Sequence, residues 1–192
     1  MRVLGVDPGT LTTGWGVVDE RQSRFSCIES GIIRARGELP KRLQTIHQHI
    51  SRVLAEFLPS FVSIEKTFVG ENVQSAFRLG EARGAILLAA AQADVPVVEY
   101  SPAEVKVSVA GAGRAGKEQV QTMIRHLLSL QKVLVSDEAD ALAVALCHLH
   151  TRRFATLITL ERNVPRTRNR RRAWEEVVLE RAAEGTASRR PR

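Results

Sequence analysis

Arg2-Val3-Leu4-Gly5-Val6-Asp7-Pro8-Gly9-Thr10, followed by Gly14-Trp15-Gly16-Val17-Val18-Asp19, is the stretch on which the fold turns. Arg2 to Val6 is a short apolar run that reads as a buried strand. It ends at Asp7, and Pro8-Gly9 is a turn signal. A second apolar run follows at once, so the two pair as a hairpin. One carboxylate thereby stands at the end of a rigid, central strand. Such a group either caps the turn by accepting backbone N–H groups or is set up to hold a cation. This stretch alone does not decide between them.

Working outward, Phe25 to Ile33 within Arg24–Arg34 is a third β-rich run, with Gly31 as a candidate bulge. Three strands with short links make an antiparallel meander. Leu39 to Leu58 then turns helical: Leu43, Ile46, Ile50, Val53, Leu54 and Phe57 recur at steps of three and four. Pro59 stops the helix. Phe61-Val62-Ser63-Ile64-Glu65 is a fourth strand, and its arrival after a helical crossover makes it parallel to the first. Glu65 therefore ends a strand as Asp7 does. Ligand sites of open α/β sheets form at such ends. Two carboxylates at one edge repel each other unless a cation intervenes.

Lys66 to Asn72 is a polar loop with one aromatic, Phe68. Val73 to Ala93 is a long helix on which Ala76, Gly80 and Gly84 form a small-residue stripe. That stripe permits close approach, ordinarily to the protein's own sheet, otherwise to a second subunit. Pro96 to Glu99 is a fifth strand. Ser101-Pro102 with Glu104 is a helix start, Ser101 as the N-cap. Gly111-Ala112-Gly113-Arg114-Ala115-Gly116-Lys117 matches the first seven positions of a P-loop. The match fails, because Glu118 replaces the Ser/Thr that would bind Mg²⁺ and a helix rather than a strand precedes it. The loop either meets a phosphate backbone through Arg114 and Lys117 or is a mobile connector. Gln119 to Leu130 is an amphipathic helix. Ser136 is the N-cap candidate for the last strong helix, Asp137 to His150. Asp137 and Asp140 share one face of its first turn. Acidic residues there suit the helix dipole whatever else they do. But the rest of this helix is apolar, and packing it on the sheet aims the Asp137/Asp140 face at Asp7 and Glu65. Cys147, His148 and His150 read as packing or surface residues.

Composition sets bounds on these readings. The 192 residues suit one domain, 1–155, with an extension, 156–192. Of the net charge of +7, residues 162–192 carry +6, with ten Arg against four Glu. The body is nearly neutral, and a basic tail of this kind most often meets nucleic acid. Cys27 and Cys147 lack partners at metal-ligand spacing and read as small buried hydrophobes. The longest apolar run, Ala85 to Ala91, is too short to span a membrane, and Arg2 leads directly into a strand, so the expected location is cytoplasmic.

Four carboxylates thus converge: Asp7, Glu65, Asp137 and Asp140. All-oxygen ligation suits a hard cation, Mg²⁺ or Mn²⁺. Four negative charges exceed the need of one such ion and favour two, roughly 3.5–4 Å apart. A pair of this kind drives in-line attack of water on a phosphodiester. A nucleic-acid substrate beside such an acidic centre needs basic groups around it. Lys66, Arg78, Arg83, Lys106, Arg114 and Lys117 are the candidates.

Gly5-Val6-Asp7-Pro8-Gly9-Thr10, Ile64-Glu65-Lys66-Thr67-Phe68, Ala82-Arg83-Gly84, Val105-Lys106, Lys117 and Asp137-Glu138-Ala139-Asp140-Ala141-Leu142-Ala143 together resemble the RuvC family of Holliday-junction endonucleases. The resemblance covers roughly residues 1–152, and the ordered set is specific where no single motif is. It implies a ribonuclease H-like α/β fold, a five-stranded mixed sheet flanked by helices with the basic C-terminal tail outside it. It also implies a homodimer that cuts four-way DNA junctions symmetrically with divalent metal, leaving 5′-phosphate and 3′-hydroxyl ends. The residues matching the family's acidic metal set are Asp7, Glu65, Asp137 and Asp140. Phe68 matches an aromatic that stacks near the crossover, and Lys106 and Lys117 match lysines that support DNA binding and cleavage. The helix after the Phe68 loop contributes to the family's dimer interface, and a RuvA–RuvB branch-migration machine is the expected partner. Three features depart from the pattern. Glu138 replaces a small residue and, about 100° round the helix from Asp137, is expected to face water. The loop after Phe68 has no second aromatic or basic residue. The Arg-rich tail lies outside the resemblance and is expected to add salt-sensitive DNA affinity.

Rival readings are a ribonuclease H-like nuclease acting on RNA and a non-catalytic junction-binding protein. An actin-like ATPase, suggested by the same first turn, needs two such domains and more chain than this.

Overall fold

The computed structural model describes residues 1–66 and 73–163. Phe68 and the tail from residue 164 lie outside the described residues. The chain divides into two compact units, Met1–Thr151 and Arg152–Arg192. The first carries the whole sheet.

The sheet has five strands, β1 (Arg2–Asp7), β2 (Thr12–Arg21), β3 (Arg24–Arg34), β4 (Phe61–Glu65) and β5 (Val97–Tyr100), in the order β3-β2-β1-β4-β5. β1 pairs antiparallel with β2 and β2 with β3, while β4 runs parallel to β1 and β5 to β4. The meander and the parallel crossover are those the sequence predicts. The bulge is elsewhere. Register shifts where Val17 pairs with Glu29 and Val18 with Cys27, which leaves Ile28 as the extra residue. Gly31 instead lies against Trp15, whose indole nitrogen would stand 3.4 Å from a Cβ there.

Alternation along the strands makes two faces. Leu4, Val6, Trp15, Val17, Val62 and Ile64 form one core with α1 (Leu39–Phe57) and α2 (Val73–Gln92). Val3 and Val18 face the other way, into a core with α3 (Pro102–Ala110), α4 (Lys117–Leu127) and α5 (Ser136–Asn163). α5 is buried all round from Glu138 to Leu149, apart from the half-exposed Asp140. A helix this apolar forms only between other layers. Ser101 caps α3 with a full capping box to Glu104, as predicted. α4 starts earlier than its hydrophobic period suggests, at Lys117, and also stops earlier, at Leu127, because Ser129 turns to φ 52°. α5 runs beyond His150, and its residues past Thr151 belong to the second unit. Val135, not Ser136, accepts the first helical N–H, from Ala139 at 2.9 Å.

The stripe on α2 does not meet the sheet. Ala82, Ile86, Ala89 and Ala90 take that side. Gly80 and Gly84 are exposed, and a Cβ on either would meet nothing within 4 Å. Phe77 and Leu88 on this helix are 71% and 53% exposed. Cys147 is buried and Cys27 half-buried, both as free thiols. Among the described residues no helix is long and apolar enough to cross a membrane.

Candidate active site

The site grows from the sheet face that α5 covers. Val3, Gly5 and Asp7 alternate onto this face of β1, Gly14, Gly16 and Val18 onto that of β2, and Phe61, Ser63 and Glu65 onto that of β4. Gly5 pairs with Gly16 on one side and Ser63 on the other, and Asp7 pairs with Gly14. Three strands therefore present a floor of small residues. α5 lies directly on it. A Cβ on Gly5 would stand 2.0 Å from the Ala141 carbonyl oxygen, and one on Gly14 1.8 Å from that of Asp137. Ser63 Oγ donates to the Val144 carbonyl at 2.9 Å. This floor was missed in the sequence reading. Its signal was four small residues at alternate positions of three strands.

Close seating brings the first turn of α5 to the ends of β1 and β4. Val6 pairs with Ile64, so Asp7 and Glu65 follow side by side on adjacent strands. The turn after Asp7 is held by Thr13, whose Oγ1 donates to the Gly9 carbonyl at 2.6 Å. Burial, then the Asp140, Glu65 and Asp137 carboxylates, push Asp7 up to about 7, against a lowering by Lys117. Burial and Asp140 also raise Glu65, opposed by Lys106 and Lys117. Lys117 Nζ stands 3.2 Å from Asp140 Oδ2, and Ser136 Oγ donates to the same oxygen at 3.4 Å. A cleft of about 300 Å³ opens here between Glu65, Lys106, Lys117, Asp140 and the apolar walls Val105 and Val120.

All four predicted carboxylates, with Lys106 and Lys117 of the three candidate lysines, thus share one neighbourhood. Among the described residues, no three carboxylate, imidazole or thiol groups close to ligating distance of one another. Four like charges hold apart, with the Lys117 ammonium as the nearest neutralising group. The donor set is all oxygen, and a carboxyl pushed up to about 7 by burial and then by its like-charged neighbours gains from a nearby cation, so these residues fit hard divalent ions.

The other candidates are dispersed. Arg78 and Arg114 are exposed on α2 and on the loop before α4. Arg83 is turned inward: it donates to the Glu65 carbonyl at 3.3 Å and pairs with the Glu99 carboxylate. Its guanidinium braces the Glu65 end of β4. Glu138 does not face water as expected. It is 5% exposed and bonded to Ser30 and Lys132. His148 is buried against Phe61, its Nδ1 2.8 Å from the Tyr100 hydroxyl.

The family model described as "Crossover junction endodeoxyribonuclease RuvC" matches residues 3–148. The chain belongs to the RuvC family. It is 46% identical over 154 residues to the RuvC of Trichlorobacter lovleyi, covering 79% of this chain and 86% of that one. Against RuvC of Syntrophotalea carbinolica it is 45% identical over 161 residues, 83% of this chain and all of the other. Thermus thermophilus RuvC in complex with a Holliday-junction substrate superposes with a TM-score of 0.78 at 36% identity, over 81% of this chain and 97% of that chain. The yeast mitochondrial Holliday-junction resolvase Ydc2, at 11% identity and a TM-score of 0.58 over 82% of this chain and 85% of that chain, shares the fold.

Proposed function

We propose that the chain is a Holliday-junction endonuclease that hydrolyses one phosphodiester per subunit with Asp7, Glu65, Asp137 and Asp140 as its metal-binding group. The observation that carries this reading is the convergence of Asp7 with Glu65, Asp137 and Asp140 at the sheet edge of a RuvC-family chain, where burial and then those carboxylates push Asp7 up to about 7. Two Mg²⁺ or Mn²⁺ ions held by these carboxylates would supply the charge that activates water and stabilises the departing 3′-oxygen. The protein's own groups do the rest. Asp7, pushed up by burial and then by the carboxylates around it, would hold the ions in its deprotonated form. Glu65, raised by burial and Asp140, orients the attacking water. Lys106 and Lys117 offset the acidic centre and draw the phosphate backbone in. Arg78 and Arg114 extend that basic surface, and Phe68 stacks on a base near the crossover. Arg83 supports Glu65 rather than meeting DNA. The products are 5′-phosphate and 3′-hydroxyl ends. The enzyme works in the cytoplasm with a RuvA–RuvB branch-migration complex, and the basic extension 156–192 adds sequence-independent affinity.

The test is cleavage of a labelled four-way junction beside a linear duplex and an RNA–DNA hybrid, each with Mg²⁺, Mn²⁺ or EDTA. Paired, ligatable nicks in the junction alone, requiring metal, are expected. Cutting of the hybrid or of RNA would move the substrate to the rival nuclease. Binding without cutting under either metal would favour a structural role.

Symmetric cutting needs two sites, and the outer face of α2 is the proposed dimer surface. Gly80 and Gly84 let a second backbone approach, and Phe77 and Leu88 supply apolar area. A shallow groove between α1 and α2, lined by Leu43, His47, Gly84 and Leu88, continues it. Gly84→Arg would bury an unpaired charge there, at a cost of about 3 kcal/mol. The dimer dissociation constant should rise about 100-fold in sedimentation velocity, and paired nicks should give way to single ones. A variant as dimeric as the parent would place the interface elsewhere.

A further inference from the structure

Glu138 sits between two of the proposed metal-binding carboxylates yet belongs to a different structure. Ser30 Oγ on β3 donates to Glu138 Oε1 at 2.7 Å. Lys132 Nζ, from the connection between α4 and α5, donates to the same oxygen at 2.6 Å and to Ser30 Oγ at 3.2 Å. Glu138 also accepts the backbone N–H of Val135, the cap residue of α5. That is the reaching-back half of a capping box, with the glutamate at the third helical position. One buried carboxylate therefore ties the first turn of α5 to its own cap, to the preceding loop and to the edge strand β3.

The ties act across the sheet. Glu138 is held over β3, the Asp137 backbone rests on Gly14 of β2, and Asp140 borders the cleft shared with Glu65 of β4. Successive residues of a helix are turned about 100° from each other. Fixing Glu138 on the β3 side therefore sets the rotation of the whole turn. It leaves Asp137 and Asp140 pointing to the ends of β1 and β4. Without it, mutual repulsion of the four carboxylates favours turning that face away.

We propose that Glu138 is a positioning residue, which with Lys132 and Ser30 latches the first turn of α5 so that Asp137 and Asp140 meet Asp7 and Glu65. The proposal rests on the metal-binding reading of those four carboxylates. It assigns a role to a glutamate outside the four proposed metal-binding carboxylates.

Full-length wild type, Glu138→Ala, Glu138→Gln, Lys132→Ala and the Glu138→Ala/Lys132→Ala double variant would be compared. The readouts are Mn²⁺ affinity by electron paramagnetic resonance, single-turnover cleavage of a saturating four-way junction, junction affinity in EDTA and melting temperature. Loss of an outer-sphere partner of a metal site typically costs about 10–100-fold in metal affinity or activity. Glu138→Ala should lose at least about 10-fold in Mn²⁺ affinity and cleavage rate on that scale, with junction affinity in EDTA unchanged. Glu138→Gln, which still accepts from Ser30, should recover much of the loss. The double variant should be no worse than Glu138→Ala, since both substitutions break one latch. Wild-type Mn²⁺ affinity in Glu138→Ala would overturn the proposal. So would losses that vanish below the melting transition, because the residue would then be merely structural. A wild type that binds Mn²⁺ but does not cut the junction would sink the function, while the Mn²⁺ comparison would still decide the latch.

Discussion

Asp7→Asn should abolish junction cleavage, by about a thousand-fold or more, while leaving junction binding in EDTA intact. Asparagine keeps the shape of the side chain and removes its charge. The group lost is the one on which the other three carboxylates converge. With less negative charge beside the phosphates, binding at low salt should be equal or slightly tighter. The same substitution should stabilise the metal-free protein. The folded-state pKa of Asp7, about 7, lies above the ordinary 3.8. The folded protein therefore binds the proton more tightly than the unfolded chain. Stability from this group is fully present below about pH 4 and is lost as pH rises through about 7. At 1.36 kcal/mol per pKa unit, the loss is at most about 4 kcal/mol. An asparagine side chain does not titrate and would have no such dependence, so at pH 8 in EDTA the variant should melt higher than wild type. Saturating Mg²⁺ should reverse the order, because only wild type gains from binding. Equal stabilisation of both proteins by Mg²⁺, or residual cleavage by the variant, would remove Asp7 from the metal site.

Local pattern made the architecture readable. Two apolar runs around Pro8-Gly9, a helical crossover, and a strand ending in Glu65 suffice to put Asp7 and Glu65 on neighbouring parallel strands. The 28-residue helix α5 needed only its apolar body to be placed on the sheet. What the sequence hid depends on contacts between distant segments. Ser30 and Glu138 are 108 positions apart, so helix geometry alone sent Glu138 to solvent. Its burial is stabilised because the Lys132 and Ser30 hydrogen bonds outweigh the desolvation cost and hold its carboxyl below the usual range. The sequence offers Arg83 only as a cation near the site. Only the fold shows Glu99 and the Glu65 carbonyl claiming it. The α2 stripe stayed open between the sheet and a second subunit for a related reason. Small residues announce close approach but not to what, and the sheet took Ala82, Ile86, Ala89 and Ala90 instead.

Gly14→Ala should damage both stability and activity through the helix rather than the strand. Its added Cβ would stand 1.8 Å from the Asp137 carbonyl oxygen, 2.3 Å from its carbon and 3.0 Å from the Glu138 nitrogen. All three are backbone atoms, so no side chain can swing aside. Restoring contact requires the first turn of α5 to lift by more than about an ångström, yet that helix is buried along most of its first four turns. Overpacking of this kind costs about 1–3 kcal/mol, sometimes more. A displacement of about 1 Å at reacting groups costs about 100-fold in rate. Chemical denaturation and single-turnover cleavage, the latter at a temperature where both proteins are folded, should show both losses together. The other glycines grade the effect. Gly5→Ala meets the Ala141 carbonyl oxygen at 2.0 Å and should be nearly as destabilising. Gly16→Ala meets side chains rather than backbone, Leu142 at 2.5 Å and Ser30 Cβ at 3.4 Å, so it should cost less. Within its own chain Gly80→Ala meets nothing, and it should leave the stability of the subunit unchanged or improve it by about 0.5–1 kcal/mol through helix propensity. If Gly14→Ala were as stable and as fast as wild type, the seating of α5 on its glycine floor could not be what sets the distance between the two pairs of carboxylates.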